Sequence, residues 1–231
     1  MTVPETRSAA AVGDGSALRS ALTLRGALLV MLAALLLSGW APLERSTWLM
    51  EVAPVLMVVP LLWCTRRRLP LTTLAYALIA LHALILTTGG HYTYAQVPLG
   101  RWVQQAFGLA RNDFDRLGHF AQGFVPAIVT RELLLRCTPL RRGGWLFTLT
   151  AATCLAISAC YEFIEWWSAL LLGAGADAFL ATQGDPWDTQ WDMFTALVGA
   201  LCALLLLARY HDAQLARLAP RAGAGAARAA R

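Results

Sequence analysis

The fold is decided by one stretch, Arg111-Asn-Asp-Phe-Asp-Arg-Leu-Gly-His-Phe-Ala-Gln-Gly-Phe-Val-Pro-Ala-Ile-Val-Thr-Arg-Glu132. It is long enough to form a helix that crosses a bilayer, yet its first turns carry Asp115, His119 and Gln122. Polar groups at such positions are costly in hydrocarbon, so they usually face a protein interior or a water-filled pocket. We therefore expect other helices of the chain to supply partners for this one.

The composition around this stretch is typical of a membrane protein. Of the 231 residues, 58% are hydrophobic and 14% are charged, and the mean hydropathy is +0.53. A soluble domain has about a quarter of its residues charged. The apolar excess lies in long runs, which predict an all-α, polytopic membrane helix bundle. The net charge of +5 does not indicate nucleic-acid binding, because all 19 basic residues are arginines at the ends of apolar runs.

About six transmembrane helices are predicted, with approximate bounds 24–40, 47–64, 70–88, 114–135, 145–172 and 190–209. Residues 21–210 then form the transmembrane domain, between a disordered cytoplasmic tail (1–20) and a mobile basic tail (211–231). Gly89-Gly90 is predicted to end the third helix, and a loop follows it. A cleaved signal peptide is disfavoured for the first helix, because the charged region before it is long and no small-x-small cleavage site follows.

The arginines predict the orientation of the bundle. With both termini in the cytoplasm, fifteen arginines lie on the cytoplasmic side and four on the opposite side. This distribution agrees with the positive-inside rule. Arg131 and Glu132 are interpreted as residues that mark the cytoplasmic membrane boundary.

The predicted topology brings polar residues from five helices to one level near the periplasmic surface. Three helices offer pairs at helical spacing: Asp115 and His119, Glu162 and Glu165, and Asp188 and Asp192. Glu51 and His82 lie at the same depth in the second and third helices. A shared pocket would explain this common level, whereas random scatter would not.

A histidine among several carboxylates can bind a divalent cation or hold a proton for acid–base chemistry. The candidate catalytic residues are Asp115, His119, Glu162, Glu165, Asp188 and Asp192. The candidate metal ligands are His119, Glu162, Asp188 and Asp192. A divalent cation is the one candidate cofactor. The structural alternative is that acids at helix starts act as caps, as Asp185-Pro186 suggests, or pair with Arg111 and Arg116.

Two further patterns concern helix packing. A face of small residues on the last helix, suited to close contact with a neighbour, is formed by Thr195, Gly199 and Ala203. Gly123 and Pro126 can bend the fourth helix, and a bend there would open a cavity beside His119.

Four segments resemble the YjdF-type family of uncharacterised bacterial inner-membrane proteins. They are Gly89-Gly-His-Tyr-Thr-Tyr-Ala95, Arg111-Asn with Asp115-Arg-Leu-Gly-His-Phe-Ala-Gln-Gly-Phe-Val-Pro-Ala127, Tyr161-Glu-Phe-Ile-Glu-Trp-Trp167 and Thr182-Gln-Gly-Asp-Pro-Trp-Asp-Thr-Gln-Trp-Asp-Met193. The resemblance covers residues 70–212 densely and the first two helices loosely. It implies a multi-pass inner-membrane protein, from a family that has no established activity.

A fainter resemblance is to VanZ-like membrane proteins, which are linked to glycopeptide resistance. Asp115-Arg-Leu-Gly-His-Phe120 is similar to their first element, with Arg in place of Lys, and Glu162-Phe-Ile-Glu165 to their second, with Glu in place of Gln. The third element has its spacing at Asp188, Asp192, Thr195 and Gly199, with Asp192 in place of Asn and Thr195 in place of Gly. The resemblance implies a shared four-helix core.

Three functions remain open, in descending order of preference. The first is an envelope-facing enzyme or binder that recognises an envelope lipid or its head group through the acid and histidine cluster. The second is a structural or assembly factor whose acids pair with arginine. The third is a proton- or cation-coupled transporter, which the almost wholly apolar segments 148–157 and 198–207 disfavour. Beyond the lipid bilayer, the sequence identifies no partner and no oligomeric state.

Overall fold

A computed structural model describes residues 5–173 and 177–218, and the regular elements of these two segments are helical. The helices are α1 (Glu5–Ser38), α2 (Arg45–Thr65), α3 (Thr73–Tyr92), α4 (Pro98–Phe107), α5 (Phe114–Cys137), α6 (Gly144–Leu172), α7 (Asp177–Leu180) and α8 (Asp188–Leu218). A 3₁₀ turn at Tyr94–Gln96 lies between α3 and α4.

Five helices are long and apolar enough to cross a membrane. They are Leu18–Ser38 of α1, all of α2, α3 and α8, and Gly144–Leu171 of α6. Their outward residues are apolar, for example Leu36 at 76% exposure, Leu171 at 84% and Leu205 at 75%. These surfaces suit lipid contact, and the prediction of a polytopic helical membrane protein is confirmed.

α5 is more polar than these five helices, but it lies inside the bundle. It runs parallel to α8: His119 lies beside Asp192 near one end, and Arg131 pairs with Asp212 at 2.8 Å near the other. Because α8 is long and apolar enough to cross the bilayer, α5 extends over the same depth beside it. The stretch that decides the fold is therefore the central helix, and it contacts α3, α6 and α8.

Glycines let α5 and α8 approach closely. A Cβ added to Gly123 would collide with the backbone carbonyl of Ala196, and one added to Gly199 would collide with the carbonyl of Phe120. Ala203, one turn after Gly199 on α8, is fully buried. The close contact predicted for the small-residue face of the last helix is confirmed at Gly199.

The hydrophobic core joins six helices, α1, α2, α3, α5, α6 and α8. Its fully or almost fully buried members include Met31, Val52, Ala75, Ile128 and Ala200. α2 crosses this region with Pro54 and Pro60 inside the helix. Each proline removes one backbone hydrogen bond from the helical ladder.

α3 does not end at Gly89-Gly90, so that prediction is wrong. The helix continues to Tyr92 and ends at Thr93, whose φ is +54°. The two glycines serve close approach instead: a Cβ on Gly89 would meet the ring of Tyr94, and one on Gly90 would meet Glu51. The predicted loop also contains the helix α4, which ends at Gly108 in the left-handed conformation, with φ +63°.

The expected tails overlap described helices. α1 begins at Glu5 and α8 continues to Leu218. Residues 1–4 and 219–231 lie outside the described residues, and the disorder of both tails in solution stays a prediction. We name the two ends of the bundle after buried histidines, the His119 end and the His211 end. The periplasmic position of the His119 end likewise stays a prediction.

A buried ionic network holds α3, α5 and α8 together at the His211 end. Glu132 is fully buried and accepts hydrogen bonds from Thr72 N at 3.0 Å, Thr72 Oγ1 at 2.7 Å, His211 Nε2 at 3.0 Å and Arg136 Nη1 at 2.7 Å. Arg131 is also buried and contacts His211 Nδ1 at 3.1 Å. Arg131 and Glu132 therefore do more than mark a membrane boundary: they lie in the packed interior.

Candidate functional site

Arg111 joins the start of α5 to the segment that precedes α8. Its Nη1 donates to Asp188 Oδ1 and to the Thr182 carbonyl at 3.2 Å, and its Nη2 donates to the Ala181 carbonyl at 3.3 Å. Burial lowers the pKa of Arg111, but the hydrogen bond and charge of Asp188 and the charge of Asp115 outweigh burial, so this pKa lies above its ordinary value. Arg111 is therefore a fixed positive charge at the His119 end.

Arg116, in the first turn of α5, also connects α5 to the segment that precedes α8. Its Nη2 lies 2.8 Å from Asp185 Oδ2 and its Nη1 lies 3.4 Å from Asp113 Oδ1. Arg111 Nη1 also lies 3.6 Å from Asp185 Oδ2. We call Arg111, Arg116, Asp113, Asp185 and Asp188 the arginine clasp. The structural alternative, in which acids only pair with arginine, fits the three acids of the clasp.

Below the clasp, His119 lies at the centre of a group of carboxylates from three helices. Its Nε2 lies 3.6 Å from Asp115 Oδ1 and 3.9 Å from Asp192 Oδ2, and its Nδ1 lies 3.8 Å from Glu162 Oε1. All four side chains are buried. Glu165, one turn beyond Glu162 on α6, is buried as well. We call these five residues the carboxylate–histidine cluster.

Gln122 orients the ring of His119. Its Oε1 lies 2.9 Å from His119 Nδ1. An amide oxygen only accepts hydrogen bonds, so with this assigned amide orientation Nδ1 carries the proton. The Nε2 lone pair of a neutral His119 then points toward Asp115 and Asp192.

The carboxylate–histidine cluster differs from the clasp in its partners. Among residues 5–173 and 177–218, Glu162, Glu165 and Asp192 form no ion pair with an arginine. Asp192 Oδ1 is buried without a hydrogen-bond partner. Neither oxygen of Glu162 has a hydrogen bond of normal geometry, although Thr189 lies close enough to interact. Pairing with arginine therefore does not account for these acids.

A tyrosine and a glutamate connect α6 to α2 beside this cluster. Tyr161 Oη donates to Glu51 Oε2 at 3.1 Å, and Glu51 is only 3% exposed. Tyr94 is also buried, and its ring lies against Gly89 and Gly118, where a Cβ would collide with it. Tyr94 and Tyr161 are functional candidates that sequence analysis did not name individually. In the sequence, the feature that could have indicated the position of Tyr94 is the pair of glycines Gly89 and Gly118, because both leave room for its ring.

Asn112 forms hydrogen bonds with three segments of the chain: the one between α3 and α4, the start of α5, and the one before α8. Its Nδ2 donates to the carbonyls of Ala95 and Val97 at 3.2 and 3.1 Å, and its Oδ1 accepts from Phe114 N at 3.1 Å. Gln183 exchanges two hydrogen bonds with the Asn112 backbone, at 3.0 and 2.9 Å. Asn112 and Gln183 thus position the start of α5 and the segment before α8.

A cavity of about 690 Å³ opens beside the cluster. The polar residues that line it beside the cluster are Glu51, His82, Tyr94, Asp115, His119, Gln122, Tyr161 and Glu165, and Thr153 and Cys160 also line it. Its remaining walls are mostly apolar and come from α1, α2, α3, α5 and α6. The cavity that the sequence predicts beside His119 is present, and Pro126 lies in its wall.

The six candidate catalytic residues all lie at the His119 end, but they separate into two groups. Asp188 belongs to the arginine clasp, whereas Asp115, His119, Glu162, Glu165 and Asp192 form the cluster. Ligand atoms suited to a metal ion lie within 4.8 Å of one another in two sets, Asp115 with His119 and Asp192, and His119 with Glu162 and Glu165. The ligand set predicted from the sequence differs from both, because it includes Asp188, which Arg111 holds. Of the weaker candidates, Glu51 and His82 both face the cavity.

The packed helices, the apolar outer faces and the buried polar end define a multi-pass helical membrane protein. Residues 23–213 match the family model described as predicted membrane protein (DUF2238). Inner membrane protein YjdF of Escherichia coli (strain K12) is 54% identical over 196 residues, which cover 85% of this chain and 94% of that relative. The chain therefore belongs to the YjdF-like DUF2238 family of multi-pass inner-membrane proteins. No solved structure matches. The comparisons give no support to the VanZ-like resemblance.

Proposed function

We propose that this protein binds an envelope lipid at its His119 end. The head group lies at the carboxylate–histidine cluster, and an acyl chain occupies the apolar part of the cavity. The observation that carries the proposal is the two-part lining of one cavity. Glu51, Asp115 and Glu165 line its polar part, whereas Val58, about 10 Å further along α2 by helical rise, lines its apolar part.

The size and lining of the cavity support a ligand of this kind. Pockets for small molecules are typically about 300–1,000 Å³, mostly apolar, with a few convergent polar groups. The cavity of about 690 Å³ lies in this range, and its polar groups converge at one end. An amphiphile matches that division, because its polar and apolar parts require separate surroundings.

The position of the cavity supports access from the side. α2 packs against α1 and α3, whereas α6 packs against α5 and α8, and the cavity lies between these two groups of helices. Met57 on α2 is 66% exposed and Ile157 on α6 is 39% exposed, and both residues line the cavity. An acyl chain can therefore enter from the hydrocarbon between α2 and α6.

The head group would meet groups suited to acid–base chemistry. The carboxyl groups of Asp115 and Glu165 and the imidazole of His119 line the cavity. Carboxylate and imidazole side chains are the commonest general acids and bases. Binding is the primary proposal, and catalysis on the bound head group is its extension.

Filling the cavity tests the proposal. Ala156 and Ala152 are both exposed on α6, one turn apart, but only Ala156 lines the cavity. We expect Ala156→Trp to reduce the lipid that copurifies with the protein in mild detergent, measured by native mass spectrometry, and Ala152→Trp to leave it unchanged. Equal lipid retention in wild type and both variants, with intact folding, would contradict lipid binding in the cavity.

A structural or assembly role is the second candidate, and the arginine clasp favours it. Exchanging the charges of Arg116 and Asp185 tests this role, since their side chains lie 2.8 Å apart. If the pair is structural, each single charge reversal lowers stability and the double exchange restores it only in part, because Arg111 and Asp113 lie beside the exchanged charges. A transporter is less favoured, because the apolar core with Ala127 and Ile128 lies between the polar groups of the two ends.

A further inference from the structure

We propose that Asp115, His119 and Asp192 form a binding site for one divalent metal cation. Each residue offers one ligand atom, and the three atoms lie within 4.8 Å of one another. The two separations measured from His119 Nε2 are 3.6 Å to Asp115 and 3.9 Å to Asp192. Ligands of one metal at about 2.1 Å lie about 3.4 Å apart in tetrahedral geometry, so these two separations exceed the ideal value by only a few tenths of an ångström.

The histidine is oriented as a metal ligand. Gln122 Oε1 accepts a hydrogen bond from His119 Nδ1 at 2.9 Å, which leaves Nε2 for the cation. Metal-bound histidines almost always donate their other ring N–H to a nearby acceptor, and this contact fixes the tautomer. Gln122 therefore acts as a positioning residue, although it does not itself touch the cation.

Unsatisfied oxygens provide an independent observation. Asp192 is only 1% exposed, and its Oδ1 has no hydrogen-bond partner. Glu162 is 5% exposed, and its oxygens lack normal hydrogen bonds. Buried polar atoms are nearly always satisfied in folded proteins. A bound cation would satisfy the carboxylate of Asp192, whereas Glu162 lies on the Nδ1 side of His119 and outside this ligand set.

The charges around the site also require a cation or bound protons. Among the described residues of this end, Arg111 and Arg116 are the arginines that form ion pairs, and the acids of the clasp pair with them. Arg111 also lies 3.6 Å from Asp115, but no arginine among the described residues pairs with Asp192. Isolated buried carboxylates are costly, so they are neutralised by a proton or by an ion. Metal binding and protonation are thus the two outcomes that an experiment must separate.

The donor set selects the kind of metal. Carboxylate oxygens suit magnesium, calcium and manganese, whereas an imidazole favours zinc and other first-row transition metals. One imidazole with two carboxylates therefore favours Mn²⁺ or Zn²⁺ over Mg²⁺ and Ca²⁺. Asp115 and His119 also line the cavity, so the cation would face it and leave a coordination position for a ligand oxygen. The cation site itself does not depend on lipid binding.

Isothermal titration calorimetry of the full chain in detergent tests the site, with Mn²⁺ and Zn²⁺ as probes after treatment with a chelator. We expect about one ion per chain for the wild type. Asp192→Asn keeps the shape of the side chain and should weaken binding about tenfold or more. Asp113→Asn is the matched control, because Asp113 lies at the same end but pairs with Arg116 at 3.4 Å. Its affinity should equal that of the wild type.

A second measurement keeps the test decisive if a variant folds poorly. Mn²⁺ should raise the unfolding temperature of the wild type and leave that of His119→Ala unchanged, and Gln122→Leu should weaken binding less than His119→Ala does. Absence of stoichiometric binding by folded wild type overturns the proposal. So does binding that Asp192→Asn and His119→Ala retain in full. Infrared absorption of protonated carboxyl groups that persists unchanged when Mn²⁺ is added would show that protons satisfy the cluster instead.

Discussion

Gly123 on α5 lies directly against the backbone of Ala196 on α8, where a Cβ at position 123 would collide with the Ala196 carbonyl. Gly199 makes the reciprocal contact with the Phe120 carbonyl. The spacing of these two helices is therefore set by backbone atoms, which cannot move aside as a flexible side chain can. The same spacing holds Asp192 beside His119.

Gly123→Ala should lower stability by about 1–3 kcal/mol, because the added methyl group overpacks the interface between α5 and α8. Thermal unfolding in detergent measures the change. Gly26→Ala is the control, since nothing lies within 4 Å of a Cβ at that position. It should be neutral or stabilising by up to about 1 kcal/mol, because alanine favours the helix. Equal destabilisation by both variants would contradict the close contact.

Arg111→Lys should loosen the segment 181–188 while keeping the positive charge. Lysine lacks the planar fork with which Arg111 reaches Asp188 and the carbonyls of Ala181 and Thr182 together. Hydrogen exchange of the backbone amides of this segment should become faster. Arg101→Lys is the control, because exposed Arg101 makes one hydrogen bond, to Gln96 at 3.2 Å. Unchanged exchange in Arg111→Lys would show that charge alone holds the segment.

Glu132→Gln should lower stability by about 3–5 kcal/mol, because it breaks a buried ion pair and leaves charged partners unpaired. Glu132 is fully buried and accepts from His211 and Arg136 at 3.0 and 2.7 Å. Denaturant or thermal unfolding in detergent measures this loss. Arg142→Gln serves for comparison, since the Arg142 side chain is 58% exposed in its ion pair with Asp212. Its cost should stay below about 1 kcal/mol, and a similar cost for both variants would argue against the buried network.

Tyr161→Phe should lower stability by about 1–3 kcal/mol, because buried Glu51 loses a hydrogen-bond donor. The affected contact, at 3.1 Å, connects α6 to α2 beside the cavity. Thermal unfolding measures the effect, and lipid copurification should fall in parallel if this contact shapes the head-group region. Tyr210→Phe is the control, since Tyr210 is 58% exposed. No difference between the variants would mean that the Glu51 contact contributes nothing.

Hydropathy and spacing predicted much of this architecture. Long apolar runs predicted the membrane helices, and i, i+4 spacing predicted that Asp115 and His119 share a face. Their partners could not be derived in this way, because they depend on the relative rotation of helices. Arg111 donates a hydrogen bond to Asp188, 77 residues away, and Glu132 accepts one from His211, 79 residues away. The sequence contained both members of each pair but not the geometry that joins them.

Predictions from local sequence patterns were wrong where tertiary contacts determine the structure. Two adjacent glycines usually indicate the end of a helix, yet Gly89 and Gly90 lie inside α3. Glycine is required there because Tyr94 and Glu51 approach the helix closely. Asp188, as the first residue of α8, fitted a structural role as well as a metal ligand, and its contact with Arg111 supports the structural role.

The two walls of the cavity, α2 and α5, differ in how easily they can move, and Pro54 and Pro60 lie in α2. Each proline leaves one backbone carbonyl of α2 without its helical donor, so bending α2 breaks fewer hydrogen bonds than bending an uninterrupted helix. α5, on the opposite wall, also contains a proline, Pro126, but it is fixed to α8 through Gly123 and Gly199. A bulkier guest would therefore displace α2 and leave His119 and Asp192 in register. Under the proposed lipid binding, acyl chains of different width would then fit without rearrangement of His119 and Asp192.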